Sequence, residues 1–165
     1  MGSVEAICVA PSASEAMRAV SAIEAIAGVG LDGDRYAVGN GFYSDRPTDP
    51  GAREVTLFEA EVLEALRSEH GVDLSPTEHR RNLTVRGIQL NVLIGQRFHL
   101  GEVVLEGVKD CPPCDHLQQL VGKAVLQPLL ERGGLRARIV ESGTIRVGDA
   151  LTVLTTAGAS SAWLS

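Results

Sequence analysis

Short apolar runs separated by glycine-containing turns recur along this chain, and they limit it to a fold built from many short strands. The 165 residues include 18 glycines, about 11%, against roughly 7% in average proteins. Short apolar runs bounded by glycine are typical of β-strands. The predicted strands are Val4 to Val9, Leu83 to Val85, Arg97 to Leu100, Val103 to Val108, Leu135 to Glu141, Thr144 to Val147 and Ala150 to Leu154. They predict a β-rich, mainly antiparallel fold.

A few helices are expected to flank the strands. The sequence Thr-Leu-Phe-Glu at positions 56–59 fits a capping box, an apolar stripe follows at helical spacing, and Gly71 ends the segment. A second helix is predicted to begin near Asp115. Residues Met17 to Ile26 fit neither a period of 2 nor one of 3.6. Gly39 to Gly51 is predicted to be a surface loop.

Charge is distributed unevenly along the chain. The formal net charge is −6, but residues 1–78 hold 5 basic and 14 acidic side chains, whereas residues 79–165 hold 10 and 7. An anion is therefore expected to bind to the second half. Thirteen of the 15 basic residues are arginine, which suits bidentate recognition of phosphate or carboxylate. The acidic balance and an aromatic content of 4% argue against a general nucleic-acid binder.

The length of the chain predicts one domain. At 165 residues a single core is expected, so we predict one domain over residues 1–165, with its core at about 4–154 and a frayed tail at 155–165. No apolar run approaches the roughly 18 residues that span a bilayer. Met1 to Ala10 lacks the basic and apolar regions of a signal peptide. A cytoplasmic protein without a membrane partner is expected.

The three cysteines are Cys8, Cys111 and Cys114, and their odd number argues against a secreted disulfide framework. Cys8 lies in an apolar run and is interpreted as a small buried side chain. Cys114 lies between a predicted strand and a predicted helix capped by Asp115, where the helix dipole and backbone N–H groups stabilise a thiolate. Lys109 favours the thiolate as well. A low-pKa cysteine suits nucleophilic attack, sulfur transfer or metal ligation.

Several interpretations of the Cys-Pro-Pro-Cys segment remain open. A thioredoxin-like redox pair fits the spacing, but here the motif follows a hairpin instead of the first strand of a βαβ unit. Zinc could bind Cys111, Cys114 and His116, but no second cluster supplies a fourth ligand. A single reactive Cys114, with Cys111 as an optional partner, needs cations nearby for an anionic ligand. The simplest alternative is a half-buried loop cysteine without chemistry.

Basic residues of the second half could supply those cations. Between Arg132 and Arg138, the pair Gly133 and Gly134 could form an anion-binding nest of backbone N–H groups. Arg136 and Arg138 share one face of a predicted strand because side chains alternate. The alternative is a helix C-cap followed by a solvent-facing strand.

Two further polar segments precede predicted β-structure or form a turn. Arg80-Arg81-Asn82 is a second basic and amide cluster ahead of a predicted strand, and it is a weak signal by itself. Gly30 to Tyr36 has only two carboxylates and lacks the closing glutamate of a calcium loop. We predict a tight turn there, capped by Asp34.

Six segments of the chain share their order and spacing with one known family. They are Gly30 to Tyr36, Arg53 to Leu57, Arg81-Asn82-Leu83, Pro113-Cys114 with Leu117, Arg132-Gly133-Gly134 and Ile145 to Asp149. Together they resemble the MOSC domain, the C-terminal domain of molybdenum cofactor sulfurases, which also occurs as a stand-alone bacterial protein. The resemblance covers about residues 4–154. It implies a MOSC-type β-barrel with flanking helices, and it favours strands for Met17 to Ile26.

The resemblance also implies a ligand and the residues around it. The family is regarded as binding a sulfur-bearing or molybdopterin ligand, and its characteristic cysteine matches Cys114, which would accept sulfur or ligate molybdenum. Cys111 is an additional thiol that is not general to the family, and Lys109 stands where arginine is common. The positions expected around the cofactor match Arg35, Arg81, Asn82, Lys109, Arg132, Gly133, Gly134, Arg136 and Arg138.

Partners follow from the same resemblance. In the sulfurases a separate pyridoxal-phosphate desulfurase domain supplies the sulfur, and this sequence shows no such domain. We therefore expect no pyridoxal phosphate to be held covalently by this chain. A cysteine desulfurase or another sulfur donor is the expected partner, together with a molybdoenzyme or an electron-transfer protein.

Three functions remain open from the sequence. The leading hypothesis is a sulfur carrier or molybdenum-cofactor-binding protein, acting as a sulfurtransferase or as a component of a molybdoenzyme. The second is a molybdenum-cofactor-dependent reductase of N-hydroxylated compounds. The third is a non-catalytic binding module in which Cys111 and Cys114 form a structural disulfide.

Overall fold

Strands dominate the computed structural model of this chain, which describes residues 2–11, 16–34, 54–111 and 133–154. Eleven strands, one α-helix and one 3-10 helix lie in these ranges. In chain order they are β1 Gly2–Val9, β2 Arg18–Val20, β3 Ala22–Ile26, β4 Gly30–Leu31, β5 Val55–Glu59, α1 Ala60–His70, β6 Leu83–Arg86, the 3-10 helix Leu90–Leu93, β7 Arg97–Leu100, β8 Val103–Asp110, β9 Leu135–Glu141, β10 Gly143–Arg146 and β11 Ala150–Val153.

Seven of the described strands form a closed barrel. They follow each other in the order β11-β7-β8-β9-β5-β6-β1, and β1 then pairs with β11 to close the ring. β5 and β6 are parallel and the other neighbours are antiparallel, which makes the barrel mixed. β2 extends the sheet beyond β1. The barrel confirms the β-rich, barrel-like fold that the sequence and the family resemblance predict.

Alternating side chains fill the interior of the barrel. On β9, Leu135, Ala137 and Ile139 are buried, whereas the intervening Arg136 and Arg138 are only partly buried. Successive side chains of a strand point to opposite faces, so the two arginines share the outer face, as predicted. The inward side chains of the other strands join the same apolar cluster, whose burial is the main source of stability.

The α-helix begins later than its sequence pattern predicts. Thr56 to Glu59 belong to β5, and α1 begins at Ala60 with Glu59 as an N-cap residue that makes no side-chain capping bond. The predicted capping box is therefore wrong. The same four residues suit a strand, because Leu57 points into the barrel core while Phe58 lies on the opposite face under the helix.

One face of α1 packs on the outside of the barrel. Val62 and Leu66 of the helix join Phe58 and Leu74 in a second apolar cluster. Gly71 ends the helix with a φ of 65°, the left-handed conformation that favours glycine at this position, and this confirms the predicted stop. No helix in the described ranges is both long and apolar enough to cross a bilayer.

The strands predicted from apolar runs are all present, with bounds that differ by at most two residues. The segment Met17 to Ile26 contains β2 and β3, which confirms the strands that the family resemblance favours there. β3, β4 and β10 form a second sheet of three strands. The helix predicted near Asp115, the loop predicted at Gly39 to Gly51 and the tail at 155–165 lie outside the described residues.

One end of the barrel brings together most of the predicted site residues, and we call it the site end. β1 and β8 end there, whereas β2, β6 and β9 begin there. Leu57 of β5 pairs with Leu83 on one side and with Leu135 on the other, so β6 and β9 both begin beside the same residue of β5. The other pairings that define the site end are Val9 with Arg18, Ile7 with Leu83 and Asp110 with Leu135.

Candidate functional site

Most of the residues predicted to form a site are described by the structure. They lie just before β6, at the end of β8 and at the beginning of β9. The described ones are Arg81, Asn82, Lys109, Cys111, Gly133, Gly134, Arg136 and Arg138. The predicted site residues Arg35, Cys114 and Arg132 lie outside the described residues.

Arg81 joins the two chain ends that flank residues 112–132. Its Nε donates a hydrogen bond to the carbonyl oxygen of Gly133 at 2.8 Å, and its Nη2 donates to the carbonyl oxygen of Cys111 at 3.1 Å. Its Nη1 donates to the carbonyl oxygen of His79 at 3.4 Å. The arginine is 7% exposed. Because a guanidinium presents its donors in a fixed plane, one side chain fixes the backbone on both sides of the segment.

The same two chain ends also bind each other at Gly134. The N–H of Cys111 donates to the carbonyl oxygen of Gly134 at 2.8 Å. Gly134 has a φ of 120°, and a Cβ there would lie 2.3 Å from the carbonyl oxygen of Leu57. Only glycine allows this approach. The contacts described for Gly133 and Gly134 use their carbonyl oxygens, whereas the predicted anion nest would use their N–H groups, so the nest stays a prediction.

Asn82 connects three strands at the site end. Its Oδ1 accepts hydrogen bonds from the backbone N–H of Thr56 at 3.1 Å and from the Thr56 hydroxyl at 3.2 Å. Its Nδ2 donates to the carbonyl oxygen of Cys8 at 3.2 Å. Asn82 is 3% exposed. The amide therefore holds β1, β5 and the start of β6 together, which is a structural use of a residue predicted to contact the cofactor.

His79 is buried beneath the site end as a neutral side chain. Its Nδ1 accepts a hydrogen bond from the backbone N–H of Arg81 at 2.9 Å, so the proton lies on Nε2, which donates to the Thr84 hydroxyl at 2.7 Å. The ring stacks on Phe58 with centroids 4.4 Å apart. Burial lowers the pKa of His79 to about 3, and the charge of Arg81 acts in the same direction.

Arg136 lies on the outer face of β9 at the same end of the barrel. Its Nε is buried and has no hydrogen-bond partner among the described residues. It pairs across the strands with Lys109 of β8 on one side and with Thr56 of β5 on the other. A buried N–H without an acceptor costs about 1–3 kcal/mol, which makes this guanidinium a candidate anion contact.

Arg138, two residues further along β9, is engaged by the protein itself. Its Nε donates to the carboxylate of Glu106 at 2.6 Å, and Arg97 lies 3.7 Å from the same carboxylate. Glu106 is the direct cross-strand partner of Arg138. Arg136 and Arg138 therefore share a face but differ in their surroundings, because one lies opposite a cation and the other opposite a carboxylate.

The two described cysteines are both buried and free. Burial raises the pKa of Cys8 to about 11, so this thiol is protonated at neutral pH, in agreement with its predicted role as a small core side chain. Cys111 is 5% exposed, whereas Cys114, with which it would form the predicted disulfide, lies outside the described residues. The described residues contain no group of three or more His, Cys, Asp or Glu side chains that could hold a metal ion.

Two features of the site end are visible only in three dimensions. Arg80 has a φ of 65°, a left-handed conformation that is uncommon outside glycine and that occurs often at functional positions. The run Arg80-Arg81-Asn82 marks the segment in the sequence but does not reveal this backbone conformation. Asp34 is fully buried, and its carboxylate accepts a hydrogen bond from the N–H of Ala10, just after β1, at 3.2 Å. A cap on the turn at 30–36 would bond to the backbone of that turn, so the predicted capping role stays a prediction.

Comparison with known proteins identifies the family of this chain. The profile of the MOSC domain family matches residues 33–152 of the chain. The chain belongs to the MOSC domain family. This confirms the resemblance found in the sequence, and the matched range includes both the described site end and the position of Cys114. A search of curated proteins finds no significant match.

Solved structures share the MOSC fold of this chain. The YuaD protein of Bacillus subtilis is 17% identical, with a TM-score of 0.74, covering 93% of this chain and 96% of that chain. YiiM of Geobacillus stearothermophilus is 13% identical, with a TM-score of 0.71, covering 93% and 75%. YiiM of Escherichia coli is 16% identical, with a TM-score of 0.63, covering 93% and 70%. At these identities the likeness shows the fold alone.

Proposed function

We propose that this MOSC protein is a sulfur carrier that binds the molybdenum cofactor, with Cys114 as the residue that accepts sulfur or ligates molybdenum. MOSC domains are associated with the molybdenum cofactor. The observation that carries the proposal is the pair of hydrogen bonds that the Arg81 side chain donates to the carbonyl oxygens of Cys111 and Gly133. It brings both flanks of the segment containing Cys114 next to the basic residues of β8 and β9.

Chain length supports a place for Cys114 near these residues. Cys114 follows Cys111 by three positions, and three residues span at most about 11 Å. The backbone of Cys111 is fixed by two hydrogen bonds, one to Gly134 and one from Arg81. This short connection supports a role for Lys109 and Arg136, the cations on the two neighbouring strands, beside the reactive thiol of the proposal.

The described residues also fit an anionic cofactor. The buried, unpartnered Nε of Arg136 offers a donor, and the charge of Lys109 across the strand attracts an anion. In this proposal Arg136 and Lys109 bind the phosphate of the pterin, while Arg81 and Asn82 hold the surrounding backbone. When bound, the cofactor supplies a thiophilic metal that a cysteine thiolate can ligate.

Sulfur transfer to this chain needs no external oxidant or reductant. The Cys114 thiolate attacks the outer sulfur of a persulfide on the donor protein. A new sulfur–sulfur bond forms on Cys114 while the donor's sulfur–sulfur bond breaks, and the donor cysteine leaves as a thiolate. Cations near Cys114 favour this step because they stabilise the attacking thiolate. A cysteine desulfurase is the class of donor that presents such a persulfide.

The sulfur-carrier role can be tested by mass spectrometry of the intact chain. After incubation with a cysteine desulfurase and cysteine, we expect the mass of one added sulfur atom on wild type and on Cys8→Ala, and none on Cys114→Ser. Peptide mapping should place the sulfur on Cys114. Absence of added sulfur on Cys114 in the folded wild-type chain would contradict the carrier role.

The cofactor-binding role needs a separate measurement. The chain is expressed in a host that makes the molybdenum cofactor and is then purified. We expect molybdenum by elemental analysis and pterin by fluorescence of the released, oxidised product, with both reduced in Arg136→Met. Purified protein without molybdenum or pterin would overturn this part of the proposal.

A further inference from the structure

We infer that His79 is a positioning residue for the proposed sulfur transfer, because its ring nitrogen Nδ1 holds Arg81 where the guanidinium binds Cys111 and Gly133. The inference rests on the proposed function and gives a part in it to a buried histidine. The contact that defines this role is the hydrogen bond that the backbone N–H of Arg81 donates to Nδ1 at 2.9 Å.

The first step is the tautomer of His79. Nδ1 can accept the Arg81 N–H only when the ring is neutral and carries its proton on Nε2. Nε2 lies 2.7 Å from the hydroxyl oxygen of Thr84, which accepts a hydrogen bond from that proton. Burial favours the neutral ring by lowering the pKa of His79 to about 3. The acceptor at Nδ1 is therefore present at neutral pH.

The second step is the rigidity of the ring. His79 and Phe58 are both 0% exposed, and their rings stack with centroids 4.4 Å apart and planes inclined by 22°. Phe58 belongs to β5 and Thr84 belongs to β6. Two strands of the barrel thus fix the ring, and the position of Nδ1 is set by the barrel and not by residues 79–81 alone.

The third step is the turn between His79 and Arg81. Arg80 has a φ of 65°, a conformation that persists in a residue with a side chain where the surrounding structure enforces it. A bond from the N–H of residue i+2 to the side chain of residue i is the pattern of an Asx turn, here made by a histidine. The carbonyl oxygen of His79 also accepts from Nη1 of Arg81 at 3.4 Å. His79 therefore binds both the backbone and the guanidinium of Arg81.

The fourth step leads from this turn to the two chain ends. Nε and Nη2 of Arg81 donate to the carbonyl oxygens of Gly133 and Cys111. Because the guanidinium is planar, the orientation that the turn imposes at Nη1 also orients Nε and Nη2. A change at His79 is therefore transmitted to two segments that are distant in the sequence.

Two substitutions separate this role from the filling of space in the core. Asn Oδ1 lies as many bonds from the backbone as His Nδ1, so His79→Asn keeps an acceptor for the Arg81 N–H and loses the stack on Phe58. His79→Phe keeps an aromatic ring for the stack and loses the acceptor. A residue that only fills space predicts the better outcome for His79→Phe, whereas a positioning residue predicts it for His79→Asn.

Hydrogen exchange of the full chain measures how firmly the two chain ends are held. We expect the amides of Arg81 and Cys111 to exchange about tenfold faster in His79→Phe than in wild type, and within about twofold of wild type in His79→Asn. Both rates are taken relative to the amide of Leu105 in the barrel core, which reports global opening. His70→Phe, at an exposed position of α1, is the matched control and should leave the rates unchanged.

The rate of sulfur transfer is the functional readout. Its rate constant, measured by mass spectrometry during incubation with a cysteine desulfurase and cysteine, should fall about tenfold in His79→Phe and less than about twofold in His79→Asn. Thermal unfolding of the same variants ranks them by lost packing. Exchange and sulfur transfer that follow this thermal ranking, instead of the presence of the acceptor, would overturn the positioning role.

Nitrogen NMR of the histidine rings tests the first step on the wild-type chain and needs no variant. We expect His79 to be neutral with its proton on Nε2, and a proton on Nδ1 would overturn the inference. Failure of the proposed function is distinguishable from failure of this inference. Wild type without sulfur on Cys114 overturns the carrier role, while amide exchange still decides the role of His79. Sulfur transfer at the wild-type rate in His79→Phe overturns only the positioning role.

Discussion

Asn82 and Thr56 bind each other through both their backbone and their side chains. Asn82 Oδ1 accepts from the N–H and the hydroxyl of Thr56, and the N–H of Asn82 lies 3.0 Å from Thr56 Oγ1 and 3.1 Å from the Thr56 carbonyl oxygen. β5 and β6 are parallel, so no tight hairpin can set their register. This pair of residues fixes the start of β6 against β5 instead.

Asn82→Ala should destabilise the fold without any ligand being involved. The substitution leaves the N–H of Thr56 and the carbonyl of Cys8 without their bonds to the Asn82 side chain, at a cost of about 1–3 kcal/mol for each buried group left without a partner. Urea denaturation measures the free energy of unfolding. Asn91→Ala, at an exposed position of the 3-10 helix, is the control and should change it by less than about 0.5 kcal/mol. Equal effects of the two substitutions would contradict this role.

Stability should depend on the protonation of His79. The pKa of the folded state is lowered to about 3, whereas the unfolded chain has the ordinary value near 6.5. Between these values only the unfolded state binds a proton at this group, so stability falls as the pH is lowered from about 6.5 towards 3, by up to about 1.4 kcal/mol per pH unit.

The variant His79→Gln isolates this contribution. It should have lower stability at pH 7, because a buried hydrogen-bonded ring is lost, and a smaller change in the free energy of unfolding between pH 7 and pH 5. His70→Gln, at an exposed position of α1, is the control. An unchanged pH slope in His79→Gln would show that other groups dominate acid destabilisation.

Arg81→Lys should loosen the two chain ends next to residues 112–132. A lysine ammonium is a single point charge and cannot donate in one plane to the carbonyls of both Gly133 and Cys111. We expect faster hydrogen exchange at the amide of Cys111, which is bonded to Gly134. Arg97→Lys, at an exposed position of β7, should leave that exchange rate unchanged. Equal rates in wild type and Arg81→Lys would refute the positioning role.

Gly134→Ala should be far more harmful than Gly28→Ala. Both glycines have positive φ, and a left-handed alanine costs about 1–3 kcal/mol of backbone strain. At Gly28 a Cβ meets nothing within 4 Å, whereas at Gly134 it meets the carbonyl oxygen of Leu57 at 2.3 Å. Thermal unfolding of the two variants should therefore show a much larger loss for Gly134→Ala, and similar losses would argue against the close approach.

Cys8 should not react with thiol reagents in the folded chain. Its pKa is raised to about 11 by burial, which leaves only about one molecule in ten thousand as thiolate at pH 7. Peptide mapping after brief iodoacetamide treatment should find Cys8 unmodified, and full modification should follow unfolding in urea. Rapid alkylation of Cys8 under native conditions would show that the core opens there.

Most of the strands could be predicted from apolar runs in the sequence, but β5 and the beginning of the helix could not. Alternating burial on β9 follows directly from the order of apolar and charged residues. At positions 56–59 the same side chains satisfy both a capping box and a strand, and the choice depends on pairing with Ala137 and Leu135, which are distant in the sequence. Local propensity cannot predict that pairing, because it depends only on residues close in the sequence.

The residues of the candidate site could also be predicted only in part from the sequence. The sequence nominates Arg81, Arg136 and Arg138 because each lies in a basic segment of the second half, but it does not distinguish their roles. Their roles differ because their hydrogen-bond partners lie about 30 to 50 residues away in the sequence. Arg81 donates to the carbonyl oxygen of Gly133, and Arg138 donates to the carboxylate of Glu106. Charge and periodicity identify the candidate site residues. Which of these arginines hydrogen-bond to other parts of the protein depends on tertiary structure.

The seam that closes the barrel has a consequence for how the chain is synthesised. Gly2 pairs with Leu151 and Ser3 with Ala150, so β1 finds one of its partners only after all the residues between β1 and β11 have been synthesised. Until then its edge is open to other chains, which is the condition under which nascent β-proteins aggregate. The long sequence separation between β1 and β11 also slows folding. The barrel is closed only when β11 has paired with β1.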